Sequence, residues 1–141
     1  MHAHQIQTVR SSFNLLQPIA THAAELFYTH LFAADPLLRQ LFRGDMAQQG
    51  ERLMTMIGAA VGLLDRPDAL IPVLQKLGAR HAGYGVVEAH YATVGDALLS
   101  TLEQGLGDAL TPETGAAWAE LYGLVSRTMI EASRLPATAM A

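Results

Sequence analysis

One histidine, His81, stands at the end of an apolar helical stripe and just before a glycine-rich corner, Gly83-Tyr84-Gly85. Counting back from it, Leu77, Leu74 and Leu70 fall on the same face at helical spacing. An imidazole held against an apolar wall, with no second ligand near it in sequence, suits an axial position on heme iron. The same pattern also describes a core histidine whose ring is satisfied by a backbone carbonyl. The rest of the chain has to decide between these two.

Composition narrows the field. The chain has 141 residues, of which 50% are hydrophobic and 16% charged, so it can bury a sizeable core and is not of a disordered type. A net charge of −4 gives no electrostatic reason to expect nucleic acid. There is no cysteine, which excludes disulfides, thiolate metal sites, cysteine nucleophiles and covalent heme attachment. The first residues, Met-His-Ala-His-Gln-Ile, lack the apolar core of a signal peptide, and no run approaches a membrane span. A cytoplasmic location is expected.

Helix breakers leave helix-sized segments between them, and nothing alternates like a strand. The pattern predicts helices over about 4–16, 18–32, 35–42, 46–64, 68–82, 87–104 and 111–134. The second opens at Pro18, the short third starts at Asp35-Pro36, and the fifth carries Pro72 in its first turn and His81 at its end. The fold class is all-α, about seven helices in one domain over 1–141, with a disordered tail expected at 136–141.

Particular residues now make a resemblance. Phe-Tyr-Thr-His-Leu-Phe at 27–32, Asp35-Pro36 and Leu41-Phe42 resemble the second and third helices of bacterial globins. Gln49 through Met54, Ala79-Arg80-His81 and His90-Tyr91-Ala-Thr-Val-Gly-Asp-Ala-Leu-Leu continue the match, and Ala117-Trp118 with Leu121-Tyr122-Gly123 completes it. The ordered set resembles the single-domain bacterial globins, the thermophile type among them, and the globin half of flavohemoglobins, over nearly the whole chain.

That resemblance implies a three-on-three helical sandwich around non-covalent heme b. His81 would be the proximal ligand, with its other ring nitrogen held by the carbonyl of Leu77, one turn back. Phe42 would lie flat on the porphyrin or simply pack in the core. Tyr28, on the core face of its helix with Ala24, Leu31 and Phe32, is a buried phenol in need of an acceptor. Gln49 would stand over the iron with Leu53 beside the ligand; the alternatives are a solvated loop position, or Gln48 in its place. Tyr91 shares an inner face with Val87, Val94, Leu98 and Leu102. Flavohemoglobins pair a tyrosine here with a glutamate of the last helix, which polarises the proximal histidine. Ser133 occupies that glutamate's place and Glu131 lies about 200° around the helix, so the relay is incomplete. Arg80, Tyr84 and Lys76 could reach a heme propionate or stand in solvent, and Met56 could narrow the distal pocket. His2 and His4 have metal-like spacing on a terminus expected to fray.

Two donors on one gas molecule, each adding roughly 0.5–1.5 kcal/mol or more, slow its release by one to a few decades. The resemblance therefore implies a globin of the oxygen transport/storage class that binds dioxygen, or other diatomic gases, reversibly and with high affinity. So tight a site argues for scavenging, protection or chemistry on bound oxygen rather than unloading to tissue. The alternative is nitric oxide detoxification by oxidation to nitrate. With no flavin or nicotinamide domain before Ala141, that activity would need an external reductase. No residue takes a catalytic role by itself. Tyr28 and Gln49 are weak ferrous-iron ligands, so an open five-coordinate ferrous site is expected.

Overall fold

Whether each apolar segment becomes a helix is decided largely at its ends. The computed structural model describes residues 1–134; the tail expected at 136–141 lies outside the described residues. Helix α1 (Ala3–Leu16) starts at His2, whose ring accepts from the Gln5 N–H while the Gln5 side chain accepts from the His2 N–H. His4 and Gln5 then bond Glu113 and Glu120 of the last helix, so this terminus is docked and the expectation of fraying is corrected. Pro18 does not open the second helix directly. A single 3-10 turn, Gln17–Ile19, comes first, and α2 runs from Ala20 to Ala34.

The short third helix is a 3-10 segment, Pro36–Leu41, with the Asp35 carboxylate accepting from the Leu37 N–H. Asp45 caps α3 (Met46–Gly62) in the same way, through the Ala47 N–H at 2.9 Å. Helix α4 (Pro67–Gly83) begins earlier than the pattern suggests. Pro67 takes the first helical position, where no N–H is needed. Pro72 therefore falls in the second turn, not the first, and leaves the Asp68 carbonyl without its ladder bond. Helix α5 spans Glu88–Leu106, and Thr111 caps α6 (Pro112–Ser133).

Among the described residues these six α-helices pack on one another with no strand between them. The largest contacts are α4 on α6 and α2 on α5. Ile6, Val9, Phe13 and Leu16 bury one face of α1, and the fully buried Trp118 locks α1 to α6 through an indole N–H donated to Ser12 Oγ at 2.7 Å. Arg10 ties α1 to the end of α3, donating to the Val61 and Gly62 carbonyls and to Asp65. Glycine sets the closest approaches. A Cβ on Gly78 would stand 2.3 Å from the Met129 carbonyl oxygen, and one on Gly50 would stand 2.9 Å from Ala24 Cβ.

Helices α3 and α4 scarcely touch each other. Leu53, Met56, Ile57 and Ala60 on α3 and Leu77 on α4 are apolar yet only half-buried. No described helix is long and apolar enough to cross a membrane.

The α4–α6 crossing gives the first prediction. Gly78→Ala drives a methyl into the backbone of α6, which cannot yield as a side-chain tip does. Overpacking of this kind costs about 1–3 kcal/mol, read as a lower urea midpoint with unchanged slope. Gly62→Ala meets nothing within 4 Å and is expected to leave the midpoint unchanged or slightly raised.

Candidate functional site

His81 is held at both its ring and its backbone. Its Nδ1 lies 2.7 Å from the Leu77 carbonyl, which makes Nδ1 the protonated nitrogen and leaves Nε2 with a free lone pair. Beyond it α4 ends in a Schellman turn: the Gly85 N–H donates to Ala82 and the Val86 N–H donates to the His81 carbonyl. The turn needs a left-handed residue, and Gly85 supplies it at φ +97° while approaching Leu41. Burial pushes the imidazole below its ordinary pKa, the Leu77 bond opposes this, and the Arg80 charge adds to it. The net result favours the neutral ring, the form that ligates a metal.

Across the gap, Tyr28 sits in an aromatic cluster. Phe42 meets it edge-on at 5.3 Å, Phe27 edge-on at 5.2 Å, and Phe32 stacks at 5.7 Å. Phe42 is half-buried and its partners here are these rings. Burial raises the Tyr28 phenol to about 12, so it stays a donor. Its O–H donates to the Gln49 main-chain carbonyl at 3.2 Å. The Gln49 amide donates to the Arg43 carbonyl at 3.0 Å, across the corner made by Gly44 at φ +82°. Tyr28 and Gln49 are thus brought together, each with its donor resting on a backbone carbonyl. Gln48 is exposed, and Leu53 packs half-buried against the Tyr28 cluster.

On the α5 side, Tyr91 is buried and its hydroxyl has no hydrogen-bond partner among the described residues. Burial raises its pKa. Ser133 turns its hydroxyl back to the Ile130 carbonyl at 2.6 Å, and Glu131 is exposed. Neither of them partners Tyr91. Val87 is no part of that inner face; it precedes α5 and is exposed. Tyr122 entered the sequence reading only as part of the Leu121-Tyr122-Gly123 match, with no role assigned to its hydroxyl. Its hydroxyl donates to the Tyr91 carbonyl at 2.6 Å, and its ring lies 2.7 Å from where a Gly95 Cβ would be. The signal was Gly95, one turn after Tyr91, where a large ring needs room.

Arg80, Tyr84 and Lys76 are all exposed at the edge of this region. Among the described residues no cluster of His, Cys, Asp and Glu could hold a metal by itself. A single neutral imidazole on a half-buried apolar wall therefore suits a metal that brings most of its own ligands inside a flat apolar frame. An iron porphyrin meets that description, and the residues present fit it.

A three-on-three helical fold with one such histidine beside a gap between α3 and α4 defines a class, the globins. Residues 25–129 match the globin family, and the chain belongs to it; it is a heme-binding globin. The flavohemoprotein of Bordetella parapertussis is 35% identical over 111 residues, 77% of this chain but 28% of that protein. A bacterial globin from Campylobacter jejuni has a TM-score of 0.81 at 23% identity, covering 94% of this chain and 96% of that one. The flavohemoglobin of Malassezia yamatoensis with bound FAD and heme has a TM-score of 0.76 at 23% identity, covering 94% and 36%.

The orphaned phenol yields the second prediction. A buried hydroxyl without a partner destabilises by about 1–3 kcal/mol, and removing it recovers part of that. Tyr91→Phe is expected to stabilise the heme-free protein by about 1 kcal/mol in urea unfolding. A loss of stability would show that the hydroxyl has a partner.

Proposed function

We propose that this chain holds heme b and binds dioxygen reversibly with high affinity, His81 being the proximal ligand. The observation that carries this is the His81–Leu77 bond, which presents Nε2 of a neutral ring beside the gap between α3 and α4. The iron porphyrin, when bound, supplies the metal on which a diatomic gas is taken up. The chain's own residues hold, orient and shield. Leu53, Leu77 and Phe42 contribute apolar surface to the pocket, and Arg80 and Tyr84 stand where they can meet propionates.

Tyr28 and Gln49 are the donors to the gas. Each would exchange a neutral bond to a peptide carbonyl for one to a more negative acceptor, the stronger kind. The absence, among the described residues, of any hydrogen-bond partner for the Tyr91 hydroxyl argues for weak polarisation of His81, which favours reversible binding over oxidative activation. An open five-coordinate ferrous site and a cytoplasmic setting belong to the same proposal.

The second reading, oxidation of nitric oxide to nitrate, is favoured by the flavohemoprotein likeness. The chain spans 28% of that relative's length. A separate reductase is proposed as the source of electrons.

Stopped-flow dissociation of dioxygen from the ferrous protein tests the main proposal. Tyr28→Phe and Gln49→Leu are each expected to speed release by about tenfold, the loss of about 1.4 kcal/mol. If neither does, other residues govern the gas. Nitrate formed over many cycles with a reductase would support the second reading, and a single stoichiometric burst would end it.

A further inference from the structure

Two stretches of the chain carry no acidic residue, 36–44 and 69–87. Together they hold four cations, Arg39, Arg43, Lys76 and Arg80, a net charge of +4. The remainder keeps the other five of the nine Lys and Arg and all 13 acids, a net charge of −8. The fold brings the two stretches together: a Cβ on Gly85, just past α4, would stand 3.5 Å from Leu41 Cδ2. All four cationic residues are exposed, and none forms an ion pair among the described residues. The acids at the margins are engaged elsewhere. Asp35 accepts from the Leu37 N–H, Asp45 from the Ala47 N–H, and Glu88 from Arg134.

The same two stretches hold Leu37, Val73, Tyr84 and Val87, four of the five large apolar side chains exposed among the described residues. Leu37 is 71% exposed and Tyr84 67%. Spacings of three, four and four put Val73, Lys76, Arg80 and Tyr84 on one face of α4 and its cap. That face lies about a quarter turn from the stripe that ends at His81. The Tyr84 ring stands 6.4 Å from the His81 ring, so the face borders the proposed heme site. Exposed apolar side chains interspersed with unpaired cations mark a contact surface. Where that surface is of one sign and the rest of the molecule of the other, the field steers a partner and fixes its orientation. A long polyanion or a charged membrane would extend past the four cations onto the acidic remainder; a compact acidic patch would not.

We propose that this face docks a separate electron-carrier protein through an acidic patch, which brings the carrier's reduced cofactor next to the His81 site. The carrier gives up one electron to the ferric heme and leaves oxidised by that electron, with no bond made or broken. The carrier's role rests on the proposed function, in which the iron must be kept ferrous, whereas docking is a property of the exposed surface itself.

The probe is purified flavodoxin, a small acidic flavin protein, with the heme-loaded chain. Affinity is read by isothermal titration calorimetry, and electron transfer by stopped-flow reduction of the ferric chain. The expected result is saturable binding that weakens as salt is raised. Arg39→Glu and Lys76→Glu are each expected to weaken binding severalfold and to slow reduction in step. Arg39 also donates to the Phe42 carbonyl, so Lys76→Glu is the cleaner of the two. Arg66→Glu makes the same charge change just before the first residue of α4, at the far end of that helix, and is expected to stay near wild type. Leu37→Asp is expected to weaken binding while the salt dependence remains. No binding at low salt, unchanged affinity in both charge variants, or an equal loss in Arg66→Glu would overturn the docking face. Tighter binding to phosphatidylglycerol vesicles than to flavodoxin would overturn the protein partner. Salt-sensitive docking with no electron passed would overturn the carrier's role. A ferrous chain that binds no dioxygen would sink the functional proposal and leave the docking result standing.

Discussion

The hydrogen bond between His81 Nδ1 and the Leu77 carbonyl, 2.7 Å long, fixes one tautomer, one ring plane and one direction for the remaining lone pair. Nearly everything around it keeps those two residues where they are. The Schellman turn at Gly85 pins the His81 carbonyl to Val86. Gly78, one residue after Leu77, lets α4 lie directly on the backbone of α6 at Met129. The absence of a side chain at one position thus sets the depth of the helix, and the depth sets where an imidazole can stand.

The two sides of this histidine's surroundings are unlike. Toward Tyr28 there are donors, a phenol and an amide, each resting on a peptide carbonyl that it can leave for a better acceptor. Toward Tyr91 there is a buried hydroxyl with no partner among the described residues, and a serine committed to its own helix. Under the proposed function, such an arrangement would favour holding a gas over driving electrons into it.

Local rules made much of this legible. Breaker spacing and caps marked out the helices, and the resemblance to bacterial globins implied the bond from His81 to the Leu77 carbonyl. What escaped depended on geometry that no period encodes. Over the six residues of Pro36–Leu41, 3-10 and α periodicity cannot be told apart. Pro67 reads equally well as the end of one helix or the first residue of the next. The direction of the Gln49 amide depends on the Gly44 corner, and the Tyr122–Tyr91 bond on how α5 and α6 cross. Neither is a property of one segment.

The most direct measurement is a hemin titration of the purified chain followed at the Soret band, with His81→Gly alongside and free imidazole as a stand-in for the missing ring. The account predicts one equivalent of hemin with the spectrum of a histidine-ligated heme, loss of that spectrum in the variant, and its return when imidazole is added. A variant that takes up hemin with wild-type affinity and an unchanged spectrum, before any imidazole, would contradict it.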